Sequence, residues 1–222
     1  RPEECDRSVS HEFSPARLDV VIFGLKNTTL IPYVLYVAME APEKLNGICE
    51  VLESYIMRRI IARESSKGYN KLFTSLIANG VLDETLLKQR LLNTEDGVTS
   101  TPNDSALLQG FKQSKLTNLQ SKGVIYLIES KIRPVDSAVS LLSFNQYSLE
   151  HLLPKNWERN WSSAEFKDED ARKNREYRLL TLGNLAIIPQ PLNASIRDGS
   201  WATKRKGKGK SKPGLARCAA GL

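Results

Sequence analysis

Residues 139 to 154 read VSLLSFNQYSLEHLLP, and this stretch decides how the chain is interpreted. Between Phe144 and Leu149 an alternating pattern favours a strand over a helix. Glu150 and His151 come next, and Pro154 follows shortly after. A strand that ends in this way delivers an acid and an imidazole to the edge of a sheet. Two interpretations stay open: a reactive pair, or a histidine that a hydrogen bond satisfies at a strand end.

The chain before this stretch is predicted to be helical. Apolar residues recur at helical spacing from Leu45 to Ile60. Capping and stop signals predict further helices over 69–78, 84–92, 105–113 and 116–130. Apolar stripes of this kind are typical of a core in which helices pack on one another.

After the strand the chain contains a charged segment and then an apolar one. The charged segment at 158–178 predicts a surface loop and helix, and a compact apolar unit follows at 179–188.

The predicted fold class is α+β and mainly helical. A boundary near residue 138 would separate a helical linker or scaffold region, 1–138, from a small domain, 139–205. Residues 206–222 are predicted to be a basic, flexible tail.

The formal net charge of +7 belongs to one end of the chain. Residues 1–200 carry equal numbers of acids and bases, so all of the surplus lies after Ser200. This distribution argues against a protein that coats nucleic acid through a uniformly basic surface. The longest apolar run, Leu30 to Met39, is about half of the roughly 20 residues that a membrane span needs. No secretory leader opens the chain, and a cytoplasmic location without membrane contact is expected.

Two asparagines and an aromatic residue paired with a lysine follow the strand. Asn184 lies in the segment LGNL, Asn193 comes nine residues later, and Trp201-x-x-Lys204 follows. An asparagine between apolar residues usually holds a turn by bonding to backbone groups. Each residue alone therefore has a structural interpretation, and only the ordered series is specific.

That ordered series resembles the C-terminal HNH-type nuclease module of GmrSD-like modification-dependent restriction endonucleases. The resembling elements are the acid-His-x-x-Pro strand end, the LGNL segment, the second asparagine and the aromatic-x-x-Lys element, over roughly residues 147 to 204. The acid-His and twin-asparagine layout is also similar to the HNH domain of CRISPR effector nucleases. Upstream, YIMRR at 55–59 and YNKLF at 69–73 resemble the helical region that joins the sensor half of such enzymes to the nuclease.

The resemblance implies a small ββα-metal nuclease domain after the helical region. It implies a DNA endonuclease of a restriction or anti-phage defence system, with His151 as general base and Glu150 and Asn193 as ligands of Mg²⁺ or Mn²⁺. In the family pattern Asn184 braces the loop between the second strand and the helix, and Lys204 contacts phosphate or stabilises developing charge. These roles suit the residue types, because a neutral imidazole can take a proton near pH 7 and hard oxygen ligands select such cations.

Double-stranded DNA, with or without modified bases, is the expected partner, and cutting of both strands would favour a homodimer. The basic residues expected to contact DNA phosphates are Lys204, Arg205, Lys206, Lys208 and Lys210. The nucleotide-using sensor half of the family, with its Asp-Gly-Gln-Gln-Arg motif, has no counterpart here. We therefore expect a C-terminal fragment or one part of a split system. The alternative is a non-catalytic helical DNA-binding or interaction module with a degenerate HNH-like core.

Overall fold

The computed structural model describes residues 2–12, 14–93, 97–113, 115–134, 140–161 and 168–218. Helices predominate, and their bounds are α1 (Pro15–Asp19), α2 (Ile31–Glu40), α3 (Leu45–Ile61), α4 (Tyr69–Ala78), α5 (Glu84–Leu92), α6 (Asp104–Gln113), α7 (Asn118–Ile132), α8 (Glu158–Trp161), α9 (Glu169–Leu179), α10 (Gln190–Ile196), α11 (Trp201–Lys206) and α12 (Leu215–Cys218). The strands β1 (Tyr147–His151) and β2 (Leu185–Pro189) form one antiparallel sheet. The predicted fold class, α+β and mainly helical, is therefore confirmed.

Local sequence explains why the middle helices begin where they do. The Asp83 side chain accepts hydrogen bonds from the backbone N–H groups of Thr85 and Leu86 and so caps α5. Thr117 and Gln120 form a capping box at the start of α7. The helices predicted at 69–78 and 84–92 have those bounds in the structure, and the other predicted helices differ by one or two residues at their ends.

Most apolar side chains of the described residues belong to one large core. It is built around α3, whose buried residues include Ile48, Leu52 and Ile56. Helix α6 packs closely on α3 because Gly110 has no side chain; a Cβ there would lie 2.4 Å from the Ile61 carbonyl oxygen.

The predicted domain boundary near residue 138 lies outside the described residues. The large core contains side chains from both sides of it, including Tyr126 and Leu127 of α7 and Phe144 and Tyr147 beside and within β1. Tyr126 also packs against the rings of Phe144 and Tyr147, with centroids 5.5 and 5.8 Å away. The helical region and the sheet therefore share one core.

The predicted strand is shorter than its sequence pattern and is shifted toward the histidine. Phe144–Gln146 forms a 3-10 turn, because Ser143 and Gln146 cap it reciprocally, and β1 begins only at Tyr147. The strand does end at Glu150 and His151, as expected.

The two faces of the sheet meet different cores. Tyr147, Leu185 and Ile187 belong to the large core, whereas Ile188 faces the other way. Ile188 belongs to a small second core, formed with α10 and α12, whose members are Ile188, Leu192, Ile196 and Leu215, with Leu152 packed against it.

The prediction of a flexible tail from residue 206 is wrong for residues 206–218. Gly207 pairs with Pro213 in an antiparallel bridge, and Leu215 is buried in the small core. Gly207 has a φ of 82°, and a Cβ there would lie 2.2 Å from the Lys212 carbonyl oxygen, so this turn needs glycine. The basic turn, residues 207–213, is therefore fixed at both ends, which its charged composition does not reveal.

Among the described residues, no helix combines the length and the apolar character that crossing a membrane requires.

Candidate active site

The last two residues of β1 stand at the centre of the candidate site. Glu150 lies opposite Ala186 and His151 opposite Leu185 in the sheet. Because side chains alternate along a strand, Glu150 shares its face with Ile188 and the small core. Glu150 is buried, and His151 is half-buried.

Lys204 lies directly against these two residues. Its Nζ donates to Oε1 of Glu150 and, at 2.6 Å, to the backbone carbonyl oxygen of His151. Lys204 is fully buried. The resemblance implies that this lysine contacts phosphate or stabilises developing charge. In the structure its ammonium group is enclosed, because a carboxylate and a carbonyl oxygen from β1 bind it. Its neighbours Arg205 and Lys206 on α11 are exposed.

Asn184 braces the chain immediately after His151. Its side-chain amide donates to the carbonyl oxygens of Leu153 (2.9 Å) and Leu179 (2.8 Å), and its Oδ1 accepts from the Leu153 N–H (2.8 Å). Its backbone carbonyl oxygen accepts from the Leu152 N–H at 2.9 Å. We expected Asn184 between the second strand and the following helix. It instead precedes β2 and ties the exit of β1 to the end of α9.

Asn193 lies on α10, the helix that directly follows β2. Pro191 in the first turn and the buried Leu192 and Ile196 fix this helix on the sheet. The Asn193 side-chain amide donates to the Leu149 carbonyl oxygen at 3.4 Å. The structure therefore brings Asn193 to the segment of β1 that carries Glu150 and His151.

The surroundings of His151 favour its neutral form. Burial lowers the pKa of His151, and the positive charges of Lys155 and Lys204 lower this pKa further, whereas Asp198 opposes the shift. At neutral pH the imidazole can therefore accept a proton.

Opposing effects act on Glu150. The pKa of this carboxyl group is raised, because burial outweighs the hydrogen bond and the charge of Lys204, which lower it. Lys204 thus stabilises the carboxylate in a position from which water is largely excluded.

Asp198 was not predicted as part of the site. It lies in the turn between α10 and α11, and its negative charge raises the pKa of both Glu150 and His151. Asn160 of α8 holds this turn by donating to the Asp198 carbonyl oxygen at 2.7 Å. The Asp-Gly dipeptide at 198–199, a turn signal directly after the helix of Asn193, could have indicated it.

The donors at the site fit a hard divalent cation with few protein ligands. Within the described ranges, no three His, Cys, Asp or Glu side chains are grouped to hold a metal, as a zinc site would require. Mg²⁺ commonly takes one or two carboxylates and completes its shell with water and phosphate oxygens. Glu150 and the amide oxygen of Asn193 suit that pattern.

The remaining predicted DNA-binding residues are all exposed and follow Lys204 in the chain. Arg205 and Lys206 are exposed on α11, and Lys208 and Lys210 are exposed on the basic turn. Trp201 begins the same helix, is 48% exposed and contacts the Trp161 ring at 6.2 Å between centroids.

Comparison with known proteins gives one family. The profile described as GmrSD restriction endonucleases, C-terminal domain, matches residues 101–218. The match begins before α6 and includes both strands, all the candidate residues and Leu215. Searches of curated proteins and of solved structures found no match. Because the family profile covers more than half of the chain, this protein belongs to the GmrSD restriction endonucleases and carries their C-terminal domain over residues 101–218.

Proposed function

We propose that this domain is a metal-dependent endonuclease of the HNH type that hydrolyses phosphodiester bonds in double-stranded DNA. The observation that carries the proposal is the ββα arrangement around β1. Glu150 and His151 end that strand, and Asn193, on the helix after β2, reaches the Leu149 carbonyl at 3.4 Å. Membership in a restriction endonuclease family supports DNA as the substrate.

His151 acts as the general base. Its lowered pKa keeps the imidazole neutral at physiological pH, so it can take a proton from the water that attacks phosphorus. Asn184 positions this base, because two of its side-chain hydrogen bonds hold the backbone of Leu153, after the histidine, and the third ties that segment to Leu179 at the end of α9.

Glu150 and Asn193 would hold a divalent cation, Mg²⁺ or Mn²⁺. When bound, the cation neutralises charge on the scissile phosphate and on the leaving oxygen. Glu150 would supply a carboxylate oxygen and Asn193 its amide oxygen, and the hydrogen bond from the Asn193 side chain to the Leu149 carbonyl oxygen joins their two elements.

The exposed lysine and arginine side chains of α11 and of the basic turn bind the DNA backbone. Arg205, Lys206, Lys208 and Lys210 are exposed, and the bridge between Gly207 and Pro213 fixes the turn that carries the last two, which suits contacts with phosphates. The chain then contributes cleavage to a restriction or anti-phage defence system.

Nicking of supercoiled plasmid tests the proposal. We expect nicking by the wild-type chain with Mg²⁺ or Mn²⁺ and none with EDTA. His151→Ala should reduce the rate by about 10²- to 10⁴-fold, the usual contribution of a general base. The matched control is His11→Ala, since His11 is exposed and its ring forms a hydrogen bond with the Lys131 carbonyl oxygen at 2.8 Å, in the helical region. Equal nicking by the wild type and His151→Ala would refute the proposal and favour a non-catalytic module.

A further inference from the structure

The contact between Lys204 and Glu150 joins a fully buried ammonium group to the carboxylate proposed as a metal ligand. Lys204 binds Oε1 of Glu150, and its second bond goes to the carbonyl oxygen of the adjacent residue, His151. Both acceptors therefore lie at the end of β1, and the lysine reaches them from α11, 54 residues along the chain.

A carboxylate that is bound by an ammonium group attracts a second cation more weakly. In a site shielded from water, the repulsion between Lys204 and a divalent cation at Glu150 would be strong, because the effective dielectric constant there is lower than in bulk water. The two cations therefore compete for one carboxylate.

We infer that Lys204 is a built-in counter-cation of Glu150, which a divalent metal displaces when it binds. The inference rests on the proposed function, because it takes Glu150 as a metal ligand. It also explains how a buried lysine can serve DNA cleavage: the displaced ammonium group becomes available to a phosphate oxygen, beside the exposed Arg205 and Lys206 on the same helix. Lys204 thereby couples metal binding to the binding of the DNA backbone.

The inference predicts that removal of Lys204 strengthens metal binding in the absence of DNA. In Lys204→Met, Glu150 loses its counter-charge and binds Mn²⁺ without a competitor. We expect the Kd for Mn²⁺, measured by calorimetry on the full chain, to fall by about tenfold, equivalent to about 1.4 kcal/mol. The rise in Tm that saturating Mn²⁺ causes should be larger in Lys204→Met than in the wild type, since the metal compensates a buried charge.

Two control variants separate this effect from general destabilisation. Lys173→Met removes another lysine–glutamate pair, the exposed contact of Lys173 with Glu169 at 2.8 Å on α9, and should leave the Kd for Mn²⁺ unchanged. The double variant Glu150→Gln/Lys204→Met should lose the strengthened binding. A Kd for Mn²⁺ in Lys204→Met that equals or exceeds the wild-type value would overturn the inference. The proposed function would still stand in that case, provided that Mn²⁺ binding depends on Glu150. If neither chain binds Mn²⁺ through Glu150, both the inference and the metal-dependent function are wrong.

A measurement on the wild type covers the case in which Lys204→Met does not fold. Amine acetylation followed by peptide mass spectrometry measures how accessible each lysine is. We expect Lys204 to be protected without metal and to react several-fold faster with saturating Mn²⁺, whereas the exposed Lys173 should react equally in both conditions. Unchanged protection of Lys204 while Mn²⁺ occupies Glu150 would show that the metal does not displace it.

Discussion

Two buried ion pairs, Arg17–Glu53 in the large core and Lys204–Glu150 beside the small one, are used in different ways. The Arg17 guanidinium binds both oxygens of Glu53 and also donates to the Ser10 carbonyl oxygen at 2.8 Å and to the Ser130 hydroxyl at 2.6 Å. Its partners come from separate parts of the chain, so it ties the helical region together. Lys204 instead binds two adjacent residues at the end of β1, the carboxylate of Glu150 and the backbone carbonyl oxygen of the half-buried His151. We therefore expect the Arg17–Glu53 pair to matter mainly for the stability of the fold. We expect the Lys204–Glu150 pair to matter mainly for the charge at the end of β1.

The largest expected effect is on the free energy of unfolding when the Arg17–Glu53 pair is broken. Arg17→Met leaves Glu53 without its counter-charge, and breaking a buried pair in this way costs about 3–5 kcal/mol. Urea unfolding should show that loss. The matched control is Arg172→Met, because the exposed pair of Arg172 and Glu158 is worth only about 0–1 kcal/mol. Similar losses in both variants would mean that the Arg17 network does not hold the helical region.

A smaller loss of stability is expected when the hydrogen bonds of Asn184, beside the candidate site, are removed. Asn184→Ala removes three side-chain hydrogen bonds around Leu153 and Leu179. We expect a free energy of unfolding lower by about 1–3 kcal/mol, the cost of leaving buried polar groups unsatisfied. Plasmid nicking should fall as His151 loses its support.

The control for that prediction is Asn79→Ala, since Asn79 is exposed and its side chain donates to Ser75, one helical turn away on α4. Nicking by Asn184→Ala at the wild-type rate would show that the loop after His151 keeps its place without this brace.

The basic turn should affect DNA binding and leave stability unchanged. Substituting Lys208, Lys210 and Lys212 by Gln should reduce the slope of log Kobs against log salt by about 0.9 for each phosphate that these lysines neutralise in the wild type. Substituting the exposed Lys71, Lys88 and Lys112 of the helical region removes the same charge and should leave the slope unchanged. Filter binding across a salt series measures the slope for the wild type and for each triple variant. Equal slopes in these three proteins would show that the basic turn does not contact DNA.

The smallest effect concerns pH. Lys155 lowers the pKa of His151, so Lys155→Gln should raise that pKa. The base works only when neutral, and the acidic limb of the nicking rate should therefore move to higher pH while the rate at alkaline pH stays the same. Lys173→Gln, on α9, provides the comparison at equal charge. A limb that moves to lower pH, or does not move, would contradict the electrostatic description of the site.

The helices and the residue types of the site could be predicted because their signals are local. Asp83 and Thr117 cap helices through their own neighbours, and the end of the strand at His151 follows from the pattern before it. The π-helical turn at Val20–Gly24 and helix α2 are not predicted, because each is an almost unbroken apolar run, and such a run does not by itself distinguish a helix from a strand.

What depends on distant contacts could not be predicted. Lys204 stands in the sequence WATKRKGKGK, which indicates a solvated basic segment, and its burial depends on a glutamate 54 residues away. Leu215 follows a run of glycine, proline, serine and lysine, yet it completes a core with β2 and α10. Asp198 lies in a turn that Asn160, 38 residues earlier in the chain, holds by a hydrogen bond to its carbonyl oxygen.

The position of Leu215 in the chain also sets an order of events during synthesis. Every candidate residue, from Glu150 to Lys210, leaves the ribosome before this leucine does. A nascent chain therefore carries all of these residues before it can close the small core of Ile188, Leu192, Ile196 and Leu215.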